Sequence, residues 1–253
     1  MIRRPPRSTQ GVSSAASDVY KRQLVACVPE VCFSVMTLLS VPALPTGCLI
    51  IGLLLQQAVA VHEEPRHELV FEDSSAFVLD VQIPSGDTTL YHTHADPVFY
   101  VSISTSRTRS QVTGRDWVGP GTGPVSSPGR VFSNIRYADR PVTHRVNNVG
   151  DGLFRLIAVI NRGHGPAADS AARSTVPNTS PPLGFEVEID NHWFRSFRGT
   201  LEPSASSTLH RHALPVVTVQ VADGSWVFQK AGAEHTLKNH GDVPLELVEI
   251  EIR

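Results

Sequence analysis

His92-Thr93-His94-Ala95-Asp96-Pro97-Val98 recurs as His210-Arg211-His212-Ala213-Leu214-Pro215-Val216, and the reading of this pair decides the fold. Each copy is followed by a second echo. His144-Arg145-Val146-Asn147-Asn148-Val149-Gly150-Asp151 returns as His235-Thr236-Leu237-Lys238-Asn239-His240-Gly241-Asp242. Each half therefore carries His-x-His, then a lone His with Asn four, Gly six and Asp seven positions later. One His-x-His is unremarkable in a chain with 11 histidines, but two with the same downstream pattern mark an internal repeat. On a strand, residues i and i+2 face the same side. His92 and His94 are thus expected to project into one interior, as are His210 and His212. His144 and His235 would arrive from a later strand of the same half. Three neutral imidazoles suit Fe(II), Zn, Cu or Ni and leave positions open for water, oxygen or substrate. The candidate metal ligands are His92, His94 and His144 in the first half and His210, His212 and His235 in the second.

The stretch around this repeat predicts an all-β chain. Phe77-Val78-Leu79-Asp80-Val81-Gln82-Ile83 alternates so that Phe77, Leu79, Val81 and Ile83 share a face. Similar short runs are Val98–Ser102, Phe154–Ile160, Val216–Val221, Trp226–Gln229 and Leu245–Ile252, bounded by Gly, Pro, Ser and Asp-Gly. No long helical period is present beyond residue 61. Residues 104–130 and 163–183 read as loop and inter-domain linker. The first lengthens the gap between His94 and His144 and is expected to be a solvated insertion or a lid. Each half is small for a barrel, so the two are expected to share a core or interface.

The histidine and glycine spacings resemble the cupin superfamily, whose first motif is G-x5-H-x-H-x3,4-E-x6-G and whose second is G-x5-P-x-G-x2-H-x3-N. Gly86, His92, His94, His144 and Asn148 match in the first half, and His210, His212, Gly224, Gly232, His235 and Asn239 in the second. The resemblance covers roughly residues 69–162 and 184–253. It implies two tandem cupin-type double-stranded β-helix (jelly-roll) barrels, here assigned to residues 61–162 and 184–253. The departures are Ser204 for Gly, Lys230 for Pro, and Ser133, Asp139 and Pro141 for Gly, Pro and Gly. The family's metal-binding Glu is missing twice. Val98 or Phe99 stands at that place in the first half, and Val216 or Val217 in the second. Asp96 is not assigned as a ligand, because Pro97 disturbs its strand and Leu214 holds the matched position. A divalent ion held without a carboxylate keeps its full charge and would favour an anionic substrate. Asn148 and Asn239 read as turn residues, since Asn-x-Gly-Asp is turn chemistry. Trp193, Phe194 and Phe197 read as core, and His62, His67, His164, His192 and His240 as surface residues.

The N-terminal region reads separately. Residues 1–23 resemble translated sequencing-adapter sequence. The apolar run Leu49 to Ala60 ends in the small-x-small pair Ala58 and Ala60, which predicts a secretory signal cleaved after Ala60 and a periplasmic or secreted protein. Pro45-Thr46-Gly47-Cys48 offers a lipoprotein box as the alternative, and an uncleaved anchor is a third. Cys27, Cys32 and Cys48 all precede residue 61, so the rest of the chain has neither disulfide nor thiolate. The whole chain has 22 Lys+Arg against 24 Asp+Glu, which gives no reason to expect a nucleic-acid partner. There is no P-loop, no G-x-G-x-x-G turn, no G-x-S-x-G elbow and no H-E-x-x-H. The functional expectation is a metal-binding bicupin. It would be an Fe(II)-type dioxygenase or related lyase or isomerase on a small anionic molecule, with Zn, Mn, Ni or Cu as alternative metals. A non-catalytic ligand-binding bicupin with structural or no metal is the rival. By family resemblance, a homodimer is the expected assembly.

Overall fold

Hydrophobic alternation becomes two layered β-barrels in the computed structural model, which describes residues 57–119, 127–163 and 181–253. The first half holds β1 (Val59–Ala60), β2 (His67–Glu72), β3 (Ala76–Ile83), β4 (His92–His94), β5 (Val98–Ser104), β6 (Thr108–Val112), β7 (Trp117–Val118), β8 (Val131–Asn134), β9 (Val142–Asn148) and β10 (Phe154–Asn161). The second holds β11 (Glu186–Asp190), β12 (Phe194–Leu201), β13 (His210–Arg211), β14 (Val216–Gln220), β15 (Trp226–Gln229), β16 (Glu234–His235) and β17 (Leu245–Ile252). Among the described residues there is no α-helix, only 3-10 turns at Val61–Glu63 and Arg136–Ala138. The adapter-like residues, the three cysteines, the lipoprotein box, His164 and most of the linker lie outside the described residues.

Each barrel pairs a structural sheet with a histidine sheet. The structural sheets run β2-β3-β10-β5-β8 and β11-β12-β17-β14-β15, the same order twice. The histidine sheets are β1-β4-β9-β6-β7 and the much smaller β13-β16. The described residues are therefore all-β and form two tandem jelly-roll barrels. Register carries the repeat to single residues. Val98 faces Ile160 in the first barrel, and Val216 faces Glu251 in the second. Ala158 and Ile160 thus hold the positions that Glu249 and Glu251 hold in the second barrel.

Strand alternation gives β3 and β10 two apolar faces. Phe77, Leu79, Val81, Ile83, Leu156, Ala158 and Ile160 point into the first barrel. Val78, Ile157 and Val159 point the other way, against Val217, Val219, Val248 and Ile250 of the second structural sheet, so the barrels are joined by one continuous apolar seam. Burying one such side chain is worth about 1.5–3 kcal/mol relative to exposure. Polar contacts frame the seam. The Asn161 amide donates to the carbonyls of Trp193 (3.0 Å) and Arg253 (2.8 Å), and Arg155 donates to the Asp223 carbonyl (2.7 Å). The interior of the second barrel is smaller, built on Phe185, Phe197, Leu201 and Leu247.

The repeated Asn residues are turn residues in both halves. Asn148 donates to the carbonyls of Ile83 and Gly152, both at 2.8 Å, and accepts from the Gly150 N–H at 3.1 Å. Asn239 donates to Leu201 (2.9 Å) and Val243 (2.7 Å) and accepts from Gly241 (2.9 Å). Each side chain ties its turn to the end of a structural-sheet strand, β3 in the first barrel and β12 in the second, and leaves nothing for a ligand. Gly86 adopts φ 77°, and Ser204, at the matched position, is held at φ 62°. The turn demands the left-handed region, which a non-glycine residue enters at about 1–2 kcal/mol.

The segment 104–130 departs from expectation. Its start is a hairpin, not an open loop: β6 pairs with β9 from Thr108↔Asn148 to Val112↔His144, and β7 pairs with β6. It widens the first histidine sheet to five strands where the second has two. Residues 57–60 are also part of the fold. Val59 and Ala60 pair in parallel with His92 and Thr93, so a chain cut after Ala60 would lack β1.

Candidate metal centres

The pairing of short strands assembles both histidine trios. His92 sits opposite His144 on β4 and β9, and His210 sits opposite His235 on β13 and β16. The i+2 rule brings His94 and His212 to the same side. Thr93, between the two first-barrel histidines, points outward and shares a hydrogen bond with Thr143. The ligand atoms of His92, His94 and His144 lie within 4.8 Å of one another, as do those of His210, His212, His235 and Glu249.

The first centre is made of neutral imidazoles. His92 Nδ1 donates to the Leu90 carbonyl at 3.0 Å, which leaves Nε2 as a buried, unpartnered lone pair. His144 Nδ1 meets Ser110 Oγ of β6 at 3.1 Å, and its Nε2 faces His94 Nε2 at 3.1 Å. His94 Nδ1 has no partner. Burial holds all three below the usual histidine range. His92 falls to about 4, helped by His67. His144 falls to about 4, helped by His92. His94 falls to about 2, helped by His144 and His92. Lone pairs converge here with few protons to satisfy them, and that donor chemistry fits a divalent transition metal.

The second centre is charged. Glu249 is fully buried, and its Oε1 accepts from His210 Nε2 (3.2 Å) and His235 Nε2 (3.0 Å). His212 Nε2 lies 3.5 Å from Glu249 Oε2, and both atoms lack a well-aligned hydrogen bond. His210 Nδ1 faces the Thr208 carbonyl at 2.8 Å, and His212 Nδ1 faces Glu251 Oε1 at 2.9 Å. Burial works against charge on His212, but Glu249 and Glu251 overcome it and raise the group to about 9. His210 is raised in the same way, with Glu249 outweighing burial. Burial would push Glu249 up, yet the three histidines hold it well below the carboxylate range. Protons hold this cluster together at the Nε2 positions a metal would take. The set of three His and one carboxylate fits a divalent ion whose binding displaces those protons. Glu251 would keep the His212 tautomer with Nε2 toward the metal.

Glu249 corrects the expectation of a carboxylate-free second site. The acid comes from the last strand, β17, and not from the segment after His-x-His. The first centre does lack one, since Ala158 stands at the matched position. Asp96 belongs to neither trio. His67 is a second correction: it is 5% exposed, not a surface residue. Its Nδ1 donates to the Val61 carbonyl at 3.0 Å, and its ring stands edge-on to His92 at 4.5 Å. Burial lowers it to about 4. His192 and His240 are exposed, and His62 is half-buried against Phe77.

The first barrel also encloses a cavity of ≈ 330 Å³. His92, His94, His144 and His67 stand on its wall together with aliphatic and aromatic side chains such as Leu79, Ile83, Val98, Phe132, Phe154 and Ile160. Tyr137 stacks on His94 at 4.6 Å and also lines it.

No family model matches the chain, and no curated protein matches it. Among solved structures it is similar to a variant oxalate decarboxylase from Bacillus subtilis, at 12% identity over 71% of this chain and 69% of that one, TM-score 0.47. It is also similar to a cupin 2 conserved barrel domain protein from Leptotrichia buccalis (8% identity, 72% and 86% covered, TM-score 0.44). AerE from Microcystis aeruginosa is similar at 10% identity, with 72% and 90% covered and a TM-score of 0.41.

Proposed function

We propose that the chain is a metal-dependent bicupin enzyme whose turnover takes place in the first barrel, in an Fe(II)-type dioxygenase, lyase or isomerase reaction on a small molecule. One observation carries this reading: His92, His94 and His144, whose ligand atoms lie within 4.8 Å of one another, all line the ≈ 330 Å³ cavity. A bound Fe(II) would supply Lewis acidity and an open position for oxygen or substrate. The protein's own part is to hold His92 in one tautomer through the Leu90 carbonyl, to orient the His144 ring through Ser110, to exclude water with the apolar wall, and to place His67 beside the centre. The second barrel, with Glu249 and Glu251, would hold a charge-compensated ion. This moves turnover away from the half whose motif is better preserved. Export of the protein, read from the run ending at Ala60, belongs to the same proposal.

Elemental analysis of protein purified without a metal-binding tag tests it. One to two equivalents of transition metal per chain are expected, with one lost in His92→Ala/His94→Ala together with oxygen uptake or product formation. Unchanged metal content in that variant overturns the site. A metal-loaded protein with no turnover on any small acid returns the chain to the ligand-binding reading.

A further inference from the structure

The two barrels differ most where their centres should match. In the second, Glu249 and Glu251 bring two carboxylates to the histidines. In the first, Ala158 and Ile160 hold those positions and form apolar wall. Among the residues lining the first cavity there is no Lys, Arg, Asp or Glu. We infer that this cavity binds a monoanion with an apolar body: one carboxylate or enolate head directed at the three imidazoles, and an aliphatic or aromatic tail about the size of hexanoate. The inference rests on a metal being held by His92, His94 and His144.

The argument is one of charge and volume. A dication among three neutral imidazoles keeps both charges, and a low-dielectric pocket strengthens its attraction for an anionic head. No carboxylate of the protein competes for it. The remainder of the cavity repels charge. A second carboxylate on the ligand would leave water and find no cation, and burying an unpaired charge is strongly unfavourable. Short dicarboxylates are therefore the wrong class. The volume lies at the small end of ligand pockets.

Hexanoate and adipate share a six-carbon chain and differ by one carboxylate, which makes them a matched pair of probes. Calorimetric titration would use the whole chain loaded with Zn(II), which is redox-inert, with metal content measured on the same samples. Hexanoate is expected to bind at one equivalent per chain and at least tenfold tighter than adipate. Ala158→Glu should keep its metal and lose hexanoate. Ala158→Leu, which narrows the cavity without charge, should weaken hexanoate more than acetate and serves if the charged variant does not fold. Adipate binding as well as hexanoate, or hexanoate affinity unchanged in Ala158→Leu, overturns the inference while the metal reading stands. Zinc content that is the same in wild type and His92→Ala/His94→Ala removes the metal reading and the inference with it.

Discussion

Replacing Glu249 with Gln keeps the shape of the second centre and removes its charge. Glu249 is 0% exposed, and its carboxylate lies 3.0 Å from His235, 3.2 Å from His210 and 3.5 Å from His212. In metal-free wild type, Glu249 and Glu251 together overcome burial and raise His212 to about 9; the substitution removes one of these two carboxylates and leaves the buried imidazole with Glu251 alone. Breaking a buried ion pair from one side costs about 3–5 kcal/mol. For a protein of this size each kcal/mol moves Tm by about 2–4 °C. Calorimetry of chelator-treated Glu249→Gln should therefore show a Tm lower by roughly 6–20 °C. Metal sharpens the test. An ion at a hundred times its Kd stabilises by about 2.7 kcal/mol, so wild type should gain Tm on metal addition, and the variant should lose much of that gain. A Tm within 2 °C of wild type, with metal content unchanged, would show that Glu249 neither pairs with the histidines nor ligates.

Three other perturbations have definite signs. His67, His92 and His144 have folded values near 4 and His94 near 2, all below the unfolded value of 6.5, so the unfolded chain binds more protons; metal-free protein should lose stability as pH falls from about 6.5 towards 4, and urea midpoints equal at pH 7 and pH 5 would contradict this. His212 is shifted the other way, so its contribution is complete below 6.5 and disappears as pH rises through about 9, which denaturation at pH 8 and pH 10 would show. Ser204→Gly relieves a residue held at φ 62° and should stabilise by about 0.5–1 kcal/mol once the extra freedom of the unfolded glycine is subtracted; a loss of stability would mean that the Ser204 side chain makes contacts that outweigh the backbone. A chain beginning at residue 61 loses the Val59–Tyr91 hydrogen bond (3.0 Å) and the β1 pairing, and should unfold about 1–3 kcal/mol more easily than one beginning at residue 57, a difference that urea titration resolves.

The histidines were legible because His-x-His on a strand can point only one way, and the structure brings each trio together. The alternating runs from Phe77 and from Phe154 were legible for the same reason. Glu249 and Glu251 were not. Leu245-Glu246-Leu247-Val248-Glu249-Ile250-Glu251-Ile252 has the alternation of a strand with one wet face. Here one face meets the other barrel and the other meets histidines, so neither is wet. Thr108-Arg109-Ser110-Gln111-Val112 hid β6 because the inward face of that strand looks onto a polar centre and needs no apolar period. His67 hid because nothing in the second half repeats it. The deciding contacts are long-range: Glu249 is 39 residues from His210, and Ser110 is 34 from His144.

The apolar seam between the two structural sheets has an evolutionary consequence. Two identical barrels meeting through such a face would form an isologous pair, and twofold symmetry would make every substitution appear in both sites at once. A tether frees them. The linked halves meet at a concentration set by the connecting segment, not by expression level, so the pairing survives dilution. Each half can then drift alone while its neighbour keeps the shared face covered. Ala158 against Glu249, and Ile160 against Glu251, show how far two linked interiors can differ: one without acidic or basic residues other than histidine, the other built around a buried ion cluster.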